Sequence, residues 1–276
     1  MCYLALSVFF LLGDHSRRPS YKRGTTIVFI RAHNRLWIGA DSLVLQLKTG
    51  EKQNVCKIHR SVGNVYFVLT GTTELGGYFD AVSEADKSVR DTGNAILARD
   101  QFAKRMIPLF QKAIPAMRKY YPAEYSSNWE QPDPRYVFFQ AAFFDIKQGV
   151  AYAETVSFKI KRGQGVRTVV SEQQNCPGSC DESGSLTPLG KNKAFQPPFD
   201  PASLQPFGPP ETIRRMISME IAAEPNYVGG NIDILQLDAL GGKFLTNNPE
   251  CNGRTASTKS QTRFSNTTFL VPSRPD

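Results

Sequence analysis

Histidine is scarce in this sequence of 276 residues, which has only three, His15, His33 and His59. They share no spacing typical of paired metal ligands, and the close cysteine pair, Cys176 and Cys180, has no second pair in the sequence. A structural zinc site usually needs four such ligands. The sequence therefore gives no support for a zinc motif, and we assign no metal.

Dense positive charge is also missing. The net charge is +8, yet the densest basic run, Lys159-Ile160-Lys161-Arg162, holds only three positive residues. Surfaces that bind nucleic acid usually carry a basic stripe or cluster, often interleaved with aromatic residues. We therefore expect no nucleic-acid partner and interpret the charge as a solvated basic face.

The N-terminal apolar run is too short to span a bilayer. Its 12 residues, MCYLALSVFFLL, have the length of the apolar part of a signal peptide. No charged residue precedes them, and no clean small-residue cleavage site follows before Arg17-Arg18. We predict that residues 1–24 are a signal peptide or a propeptide. A signal peptide would imply secretion or a cell-envelope location, and its absence a cytoplasmic one. The alternative is an N-terminal strand or helix packed on the fold.

The five cysteines are an odd number. Cys176 and Cys180 lie in one polar loop, CPGSC, and would close a small disulfide in an exported protein. Cys56 lies beside Lys57 in a predicted strand, and Cys251 lies in the C-terminal tail.

The composition is that of an ordinary soluble domain, with 41% apolar and 21% charged residues, and the length suits one sizeable domain. Apolar patterns and turn residues predict strands at 25–31, 35–41, 55–60, 65–70, 136–146, 150–161, 231–237 and 243–246. Helical spacing predicts helices at 73–90, 94–120 and 211–224. This order predicts an α+β fold in which helices flank antiparallel sheets.

Three segments fall outside these elements. Residues 121–135 are predicted to be a loop, and residues 163–210 a polar excursion or a partly disordered stretch. Residues 247–276 are predicted to be a flexible tail. Inside the second helix, Pro108 and Pro115 predict a kink or a division into two shorter helices.

The segment from Gly24 to Lys57 holds the candidate chemistry. Gly24 and Thr25 stand at the start of a predicted strand, Asp41 follows Thr25 by 16 residues, and Lys57 follows after another 16. A threonine hydroxyl is a weak nucleophile unless a base takes its proton. If the Gly24–Thr25 bond is cut, the new α-amine of Thr25 is such a base, with a pKa of about 7.7–8.0 in model peptides.

The other residues would assist this amine. Lys57 would push the amine toward its neutral form and stabilise a developing alkoxide, while Asp41 would keep Lys57 charged and oriented. Gly71 would offer a backbone N–H to an oxyanion at the end of a predicted strand. No cofactor is needed, because one residue supplies both nucleophile and base.

This joint pattern resembles the proteasome-like family of N-terminal nucleophile hydrolases, which contains proteasome β-subunits and related bacterial proteases. The positions of the family motif are held here by Gly24-Thr25, Ala40-Asp41-Ser42, Lys57 and the oxyanion-hole glycine Gly71. The resemblance covers residues 25–246 and implies a four-layer αββα sandwich. It also implies self-cleavage at Gly24–Thr25, hydrolysis of a peptide or small amide substrate, and a homo-oligomer, since the family assembles into rings.

The sequence departs from the family at a second element. Where the family has Asp-x-x-Ser-Gly-Gly, this chain has Pro225 and Val228 at the Asp and Ser positions, and an earlier Ser-Gly turn stands as Leu189-Gly190-Lys191. In the family these polar residues hydrogen-bond to the threonine amine. Two alternatives therefore stay open: a catalytically inactive subunit that binds or assembles, and a secreted binding module in which Gly-Thr-Thr is incidental.

Overall fold

The computed structural model describes residues 21–251, apart from positions 24, 33, 47–48, 134, 164–165, 181–184, 197–199, 205, 247 and 250. Within this part the chain is α+β, with two antiparallel sheets and four α-helices. None of its helices is both long and apolar enough to cross a membrane.

Fourteen strands are formed by the described residues. In chain order they are β1 (Tyr21–Arg23), β2 (Thr26–Ala32), β3 (Arg35–Asp41), β4 (Leu43–Gln46), β5 (Glu51–Asn54), β6 (His59–Arg60), β7 (Tyr66–Leu75), β8 (Phe79–Asp80), β9 (Phe139–Lys147), β10 (Val150–Arg162), β11 (Arg167–Cys176), β12 (Ser185–Gly190), β13 (Ile232–Asp238) and β14 (Gly241–Phe244). The first sheet has the order β11-β10-β9-β7-β1-β4-β5, with β6 and β8 also paired to β7. The second has the order β12-β2-β3-β13-β14.

The helices are α1 (Ala81–Thr92), α2 (Ala95–Tyr120), α3 (Pro122–Asn128) and α4 (Pro209–Ala223). Three buried apolar clusters fill the spaces between these elements. The first combines residues of α1, α2 and the first sheet, such as Phe102 and Phe143. The second combines residues of both sheets, such as Ile38 and Phe144, and the third joins the second sheet to Ile213 and its neighbours in α4.

The two strands predicted at 25–31 and 35–41 are confirmed as β2 and β3, which pair antiparallel from Ile27 and Ala40 to Ala32 and Arg35. A turn at Thr49-Gly50 joins β4 to β5, two strands that the sequence did not predict. All four residues of β5 are exposed and polar, so that strand carries no alternating pattern. The strand predicted over 55–60 is reduced to β6.

The prediction that Gly71-Thr72-Thr73 ends a strand and that a helix starts at Thr73 is wrong. Strand β7 continues to Leu75, and α1 begins only at Ala81. Asp80 fixes that start, because its carboxylate accepts hydrogen bonds from the amides of the second and third helical residues. The β-branched threonines suit the strand.

Helix α2 runs unbroken from Ala95 to Tyr120, although both Pro108 and Pro115 lie inside it. The predicted division into two helices is therefore wrong. The segment predicted to be a loop contains α3, which starts at Pro122, where the missing N–H of proline costs no hydrogen bond.

The polar stretch over 163–210 contains two sheet strands, β11 and β12, where the sequence predicted none. Strand β11 pairs with β10 over its whole length, and β12 pairs with β2 in the other sheet. Sheet neighbours supply the backbone partners, so these strands form without a strong apolar pattern of their own.

The prediction of a flexible tail from residue 247 onward is wrong for Asn248 and Cys251. Asn248 and Cys251 are both buried, and Cys251 forms a disulfide with Cys56. Residues 252–276, which include most of that predicted tail, lie outside the described residues.

Candidate active site

Thr25 stands directly before β2 and is only 4% exposed. Its carbonyl oxygen accepts a hydrogen bond from the amide of Lys191 at 3.1 Å. The hydroxyl of Thr26 donates to the carbonyl oxygen of Lys191 at 2.8 Å. These two bonds hold the residue against the end of β12. Gly24, the other predicted processing residue, lies outside the described residues.

Gly190 makes this close approach possible. It has a φ of +79°, and a Cβ atom at this position would collide with the carbonyl oxygen of Thr25. Its amide donates to Oε1 of Gln140 at 2.9 Å. The backbone of the Leu189-Gly190-Lys191 turn therefore contacts the threonine segment, although the turn has no serine.

Asp41 ends β3 and its residue is fully buried. Its Oδ1 atom accepts hydrogen bonds from the amide of Thr26 at 2.8 Å and from Nζ of Lys57 at 2.9 Å. Its Oδ2 atom accepts a third from the amide of Gly229 at 3.1 Å. One carboxylate thus joins the residue after Thr25, the predicted lysine, and the Gly-Gly segment before β13.

Lys57 is 5% exposed and forms a buried ion pair with Asp41. Burial lowers the pKa of Lys57 below its usual value, while the negative charges of Asp41 and Asp233 oppose that shift. The lysine and the amide of Thr26 share one carboxylate oxygen. A single oxygen atom, Oδ1 of Asp41, therefore bridges the ammonium group of Lys57 and the backbone amide that follows Thr25.

Asp233 is a buried acid that the sequence analysis missed. Both of its carboxylate oxygens accept from Nδ2 of Asn248, each at 2.9 Å. Burial raises the pKa of Asp233, and the hydrogen bond from Asn248 and the charge of Lys57 oppose the increase. The sequence pattern could have pointed to Asp233, because this acid interrupts the otherwise apolar start of β13 and a buried charge needs a buried partner.

Gly71 lies inside β7, with a φ of +90°, and not at a strand end as the sequence predicted. A Cβ atom here would lie 2.5 Å from the carbonyl oxygen of Phe138. The position therefore excludes a side chain for two reasons, its left-handed backbone and the packing of the chain beside it.

An open cleft of about 230 Å³ has both Thr25 and Gly71 in its wall. Asp41 and Lys57 do not line this cleft and lie buried behind it. Other lining residues are polar or aromatic and include Tyr21, Asn128, Tyr136, Phe138, Lys191 and Tyr227. The ammonium of Lys191 lies 4.9 Å from the centre of the Tyr227 ring and 3.4 Å from Oδ1 of Asn128, so the cleft contains a cation.

The segment that departs from the family pattern has a clear place in this site. Val228 is fully buried, and Gly229 binds Asp41 through its amide. The carbonyl oxygen of Gly229 accepts from the amides of Ser42 and Leu43 at 3.1 and 2.9 Å. The backbone contacts of this segment therefore need neither the missing Asp nor the missing Ser, and Glu224 supplies a carboxylate in the cleft wall.

Strand β1 leads into the site from the N-terminal side. Its residues pair with β7 on one side, where Tyr21 lies opposite Leu75, and with β4 on the other, where Lys22 lies opposite Gln46. One residue separates the end of β1 from Thr25. The chain before Thr25 therefore fills the gap between two strands as an extended segment.

Two disulfides are present among the described residues. Cys176–Cys180 confirms the predicted small loop, and Cys56–Cys251 was not predicted. The sulfurs of Cys56 and Cys251 and a carboxylate oxygen of Asp233 lie within 4.8 Å of one another, as metal ligands would. The two sulfurs are bonded to each other here, and a metal ligand must be a thiolate.

No protein-family model matches this chain, and no curated protein matches its sequence. The resemblance to proteasome-like hydrolases therefore rests on the chain's own residues and on their arrangement.

Proposed function

We propose that this protein is a self-processing threonine hydrolase of the N-terminal nucleophile type, which cleaves peptide or other amide bonds with Thr25. The observation that carries the proposal is the shared oxygen of Asp41, which accepts from both the Thr26 amide and Lys57. A buried lysine is costly unless it is paired, and this pairing links Lys57 through one oxygen to the backbone amide that follows the proposed nucleophile.

The architecture is the second support. Three apolar clusters separate helices from sheet, sheet from sheet, and sheet from helix. We propose that the fold is the four-layer αββα sandwich of these hydrolases. In that arrangement Thr25 and Gly71 share a cleft.

The proposed reaction begins within the chain. The hydroxyl oxygen of Thr25 attacks the carbonyl carbon of Gly24, the C–N bond between the two residues breaks, and the hydroxyl proton passes to the nitrogen, so an ester forms and the α-amine of Thr25 is freed. Water then hydrolyses this ester, which releases the leader with a C-terminal carboxyl group at Gly24 and restores the Thr25 hydroxyl. In the mature protein this amine takes the hydroxyl proton as Oγ attacks a substrate carbonyl, and it returns the proton to the leaving amine. Water then hydrolyses the acyl-enzyme.

The neighbouring groups have separate parts in this scheme. The N–H of Gly71 donates to the oxyanion, and the positive charge of Lys57 favours the neutral amine and the alkoxide. Asp41 acts as a positioning residue, because it binds Lys57 and the backbone after the nucleophile.

Strand β1 supports a peptide as substrate. It occupies the space between β4 and β7 through backbone pairing on both sides. Backbone pairing does not depend on side chains, so the same space would accept another extended peptide after β1 has left. The carbonyl before the scissile bond would then approach Thr25 from the direction that β1 takes.

The test compares intact mass and N-terminal sequence of the full chain with those of Thr25→Ala, Thr25→Ser and Thr26→Ser. We expect the wild type and Thr25→Ser to begin at position 25, with slower processing of the serine variant, and Thr25→Ala to keep its leader. Thr26→Ser is the matched control, because it keeps the hydroxyl that binds Lys191. A wild-type chain that still contains Gly24 would overturn the proposal.

The second candidate is a subunit that uses this fold for binding without hydrolysis. Pro225 and Val228 favour it, because no side-chain carboxylate or hydroxyl stands at those two positions. The same experiment separates the candidates, since an inactive subunit would keep its leader whichever residue stands at position 25.

We also propose that the protein works outside a reducing cytoplasm. Its two disulfides support this location, because such bonds persist in oxidising compartments and are rare in the cytosol.

A further inference from the structure

Tyr21 and Lys22, the two residues of β1 whose side chains are described, differ in burial. Tyr21 is 0% exposed, whereas the side chain of Lys22 is 39% exposed and pairs with Glu74 near the surface. The backbone of β1 is bound by its neighbours whatever its sequence, but a buried side chain needs a cavity of its own shape. Of these two positions, that of Tyr21 is therefore the one where selectivity for sequence is expected.

The cavity around Tyr21 is built for an aromatic ring. The ring of Tyr121 lies 5.2 Å from the ring of Tyr21, with the planes 31° apart. Leu75 and Phe79 belong to the same buried apolar cluster. We call this space the Tyr21 pocket, defined by Thr72, Leu75 and Tyr121, together with Trp129, which is hydrogen-bonded to Thr72.

The Tyr21 pocket also binds the phenol group. The hydroxyl of Thr72 donates to the hydroxyl oxygen of Tyr21 at 2.9 Å, and Nε1 of Trp129 donates to the hydroxyl oxygen of Thr72 at 2.9 Å. Thr72 and Trp129 are both nearly fully buried. A ring without the hydroxyl would leave the Thr72 donor without this acceptor.

We propose that the Tyr21 pocket is a substrate subsite selective for tyrosine, four residues before the bond that Thr25 cleaves. This inference rests on the proposed function and adds a specificity to it. Tyr21, Lys22, Arg23 and Gly24 are the four residues before the proposed processing bond. The leader is thus the first substrate of the site, and later substrates present an aromatic hydroxyl at the same distance.

The test uses the mature wild-type protein and three peptides that end in the same fluorogenic amide: Tyr-Lys-Arg-Gly, Phe-Lys-Arg-Gly and Ala-Lys-Arg-Gly. We expect kcat/KM to fall roughly 2- to 10-fold from the tyrosine to the phenylalanine peptide, for the lost hydrogen bond. From the phenylalanine to the alanine peptide we expect kcat/KM to fall by at least about 10-fold more, because the apolar ring is no longer buried.

A protein variant then tests the pocket itself. Thr72→Val removes the hydroxyl at nearly constant volume, so it should abolish the preference for tyrosine over phenylalanine and keep the preference of both over alanine. Thr73→Val is the matched control on the same strand, where the residue is less buried and lies outside the pocket, and it should keep the full order. The comparison is between peptides on one protein, so a uniform loss of activity does not affect it.

The outcomes separate the two proposals. If the mature protein cleaves all three peptides equally, in a reaction that Thr25→Ala abolishes, the subsite is refuted and the hydrolase stands. If no Thr25-dependent cleavage is found, both fail. Selectivity that persists in Thr72→Val refutes the role of the phenol hydrogen bond.

Discussion

At the scale of single residues, Asp41 holds the candidate site together, because it accepts three hydrogen bonds from three different segments. Its spacing from Thr25 and Lys57 was readable from the sequence. The third contact, to Gly229, was not, because the two residues are 188 positions apart. The burial of Asp233 and its two bonds from Asn248 likewise depend on how distant segments meet.

Replacing Asp41 with Asn tests this central role. The variant keeps the shape of the side chain and removes the charge that compensates Lys57, so the free energy of unfolding should fall by about 3–5 kcal/mol. Processing at Thr25 should slow or stop, because Lys57 loses its counter-charge and the Asn side chain keeps only one of the two oxygens that accept from Thr26, Lys57 and Gly229. Chemical denaturation and intact mass measure the two effects.

The control for this charge change is Asp91→Asn. Asp91 pairs with Arg105 at the surface and its side chain is 46% exposed, so its loss should cost no more than about 1 kcal/mol. If Asp41→Asn proves no more destabilising than Asp91→Asn and is processed normally, the negative charge of Asp41 contributes neither to stability nor to processing.

At the scale of elements, helix α2 forms although its two prolines disfavour a helix, because the packing of its buried face outweighs that local preference. Its two prolines remove backbone donors and would end an isolated helix. The helix nevertheless runs through both, because its buried face, with Phe102, Met106 and Phe110, packs against the first sheet. The sequence predicted the extent of α2 correctly and its continuity wrongly.

The proline at position 115 offers a test of that explanation. Pro115 is exposed, so Pro115→Ala removes no core contact and restores an N–H toward the carbonyl of Gln111. We expect the free energy of unfolding to rise by about 1–3 kcal/mol, after the greater freedom of the unfolded chain is included.

Pro122→Ala is the matched control, because Pro122 begins α3, where a proline loses no hydrogen bond. It should therefore give no increase in stability. Urea denaturation of both variants decides the matter, and a Pro115→Ala variant less stable than the wild type would show that the proline is part of the packing.

At the scale of the whole molecule, the Cys56–Cys251 disulfide closes most of the chain. The two cysteines are 195 residues apart, whereas Cys176 and Cys180 are only 4 apart. Cys56 also directly precedes Lys57, and Asn248, close to Cys251, donates to Asp233. The bond therefore fastens the C-terminal end of the described chain next to the buried charges of the site.

Replacing both Cys56 and Cys251 with Ser should lower the free energy of unfolding by about 2–4 kcal/mol, because the unfolded chain regains the freedom of a long loop. The Cys176→Ser, Cys180→Ser double variant is the control and should lose less. Guanidinium denaturation under non-reducing conditions compares them. Equal losses would argue against a dominant role for loop length.

The sequence by itself determined the α+β class, the β2–β3 hairpin, the extents of α2 and α4 and the Thr25, Asp41, Lys57 spacing, because these depend on local periodicity and on short separations along the chain. Only the tertiary structure decided that β1 lies between β4 and β7, that β11 and β12 join the sheets, and that Asp233 approaches Lys57. Such contacts depend on which sheet edges and buried charges meet after the chain has folded. No local pattern of residues encodes that choice.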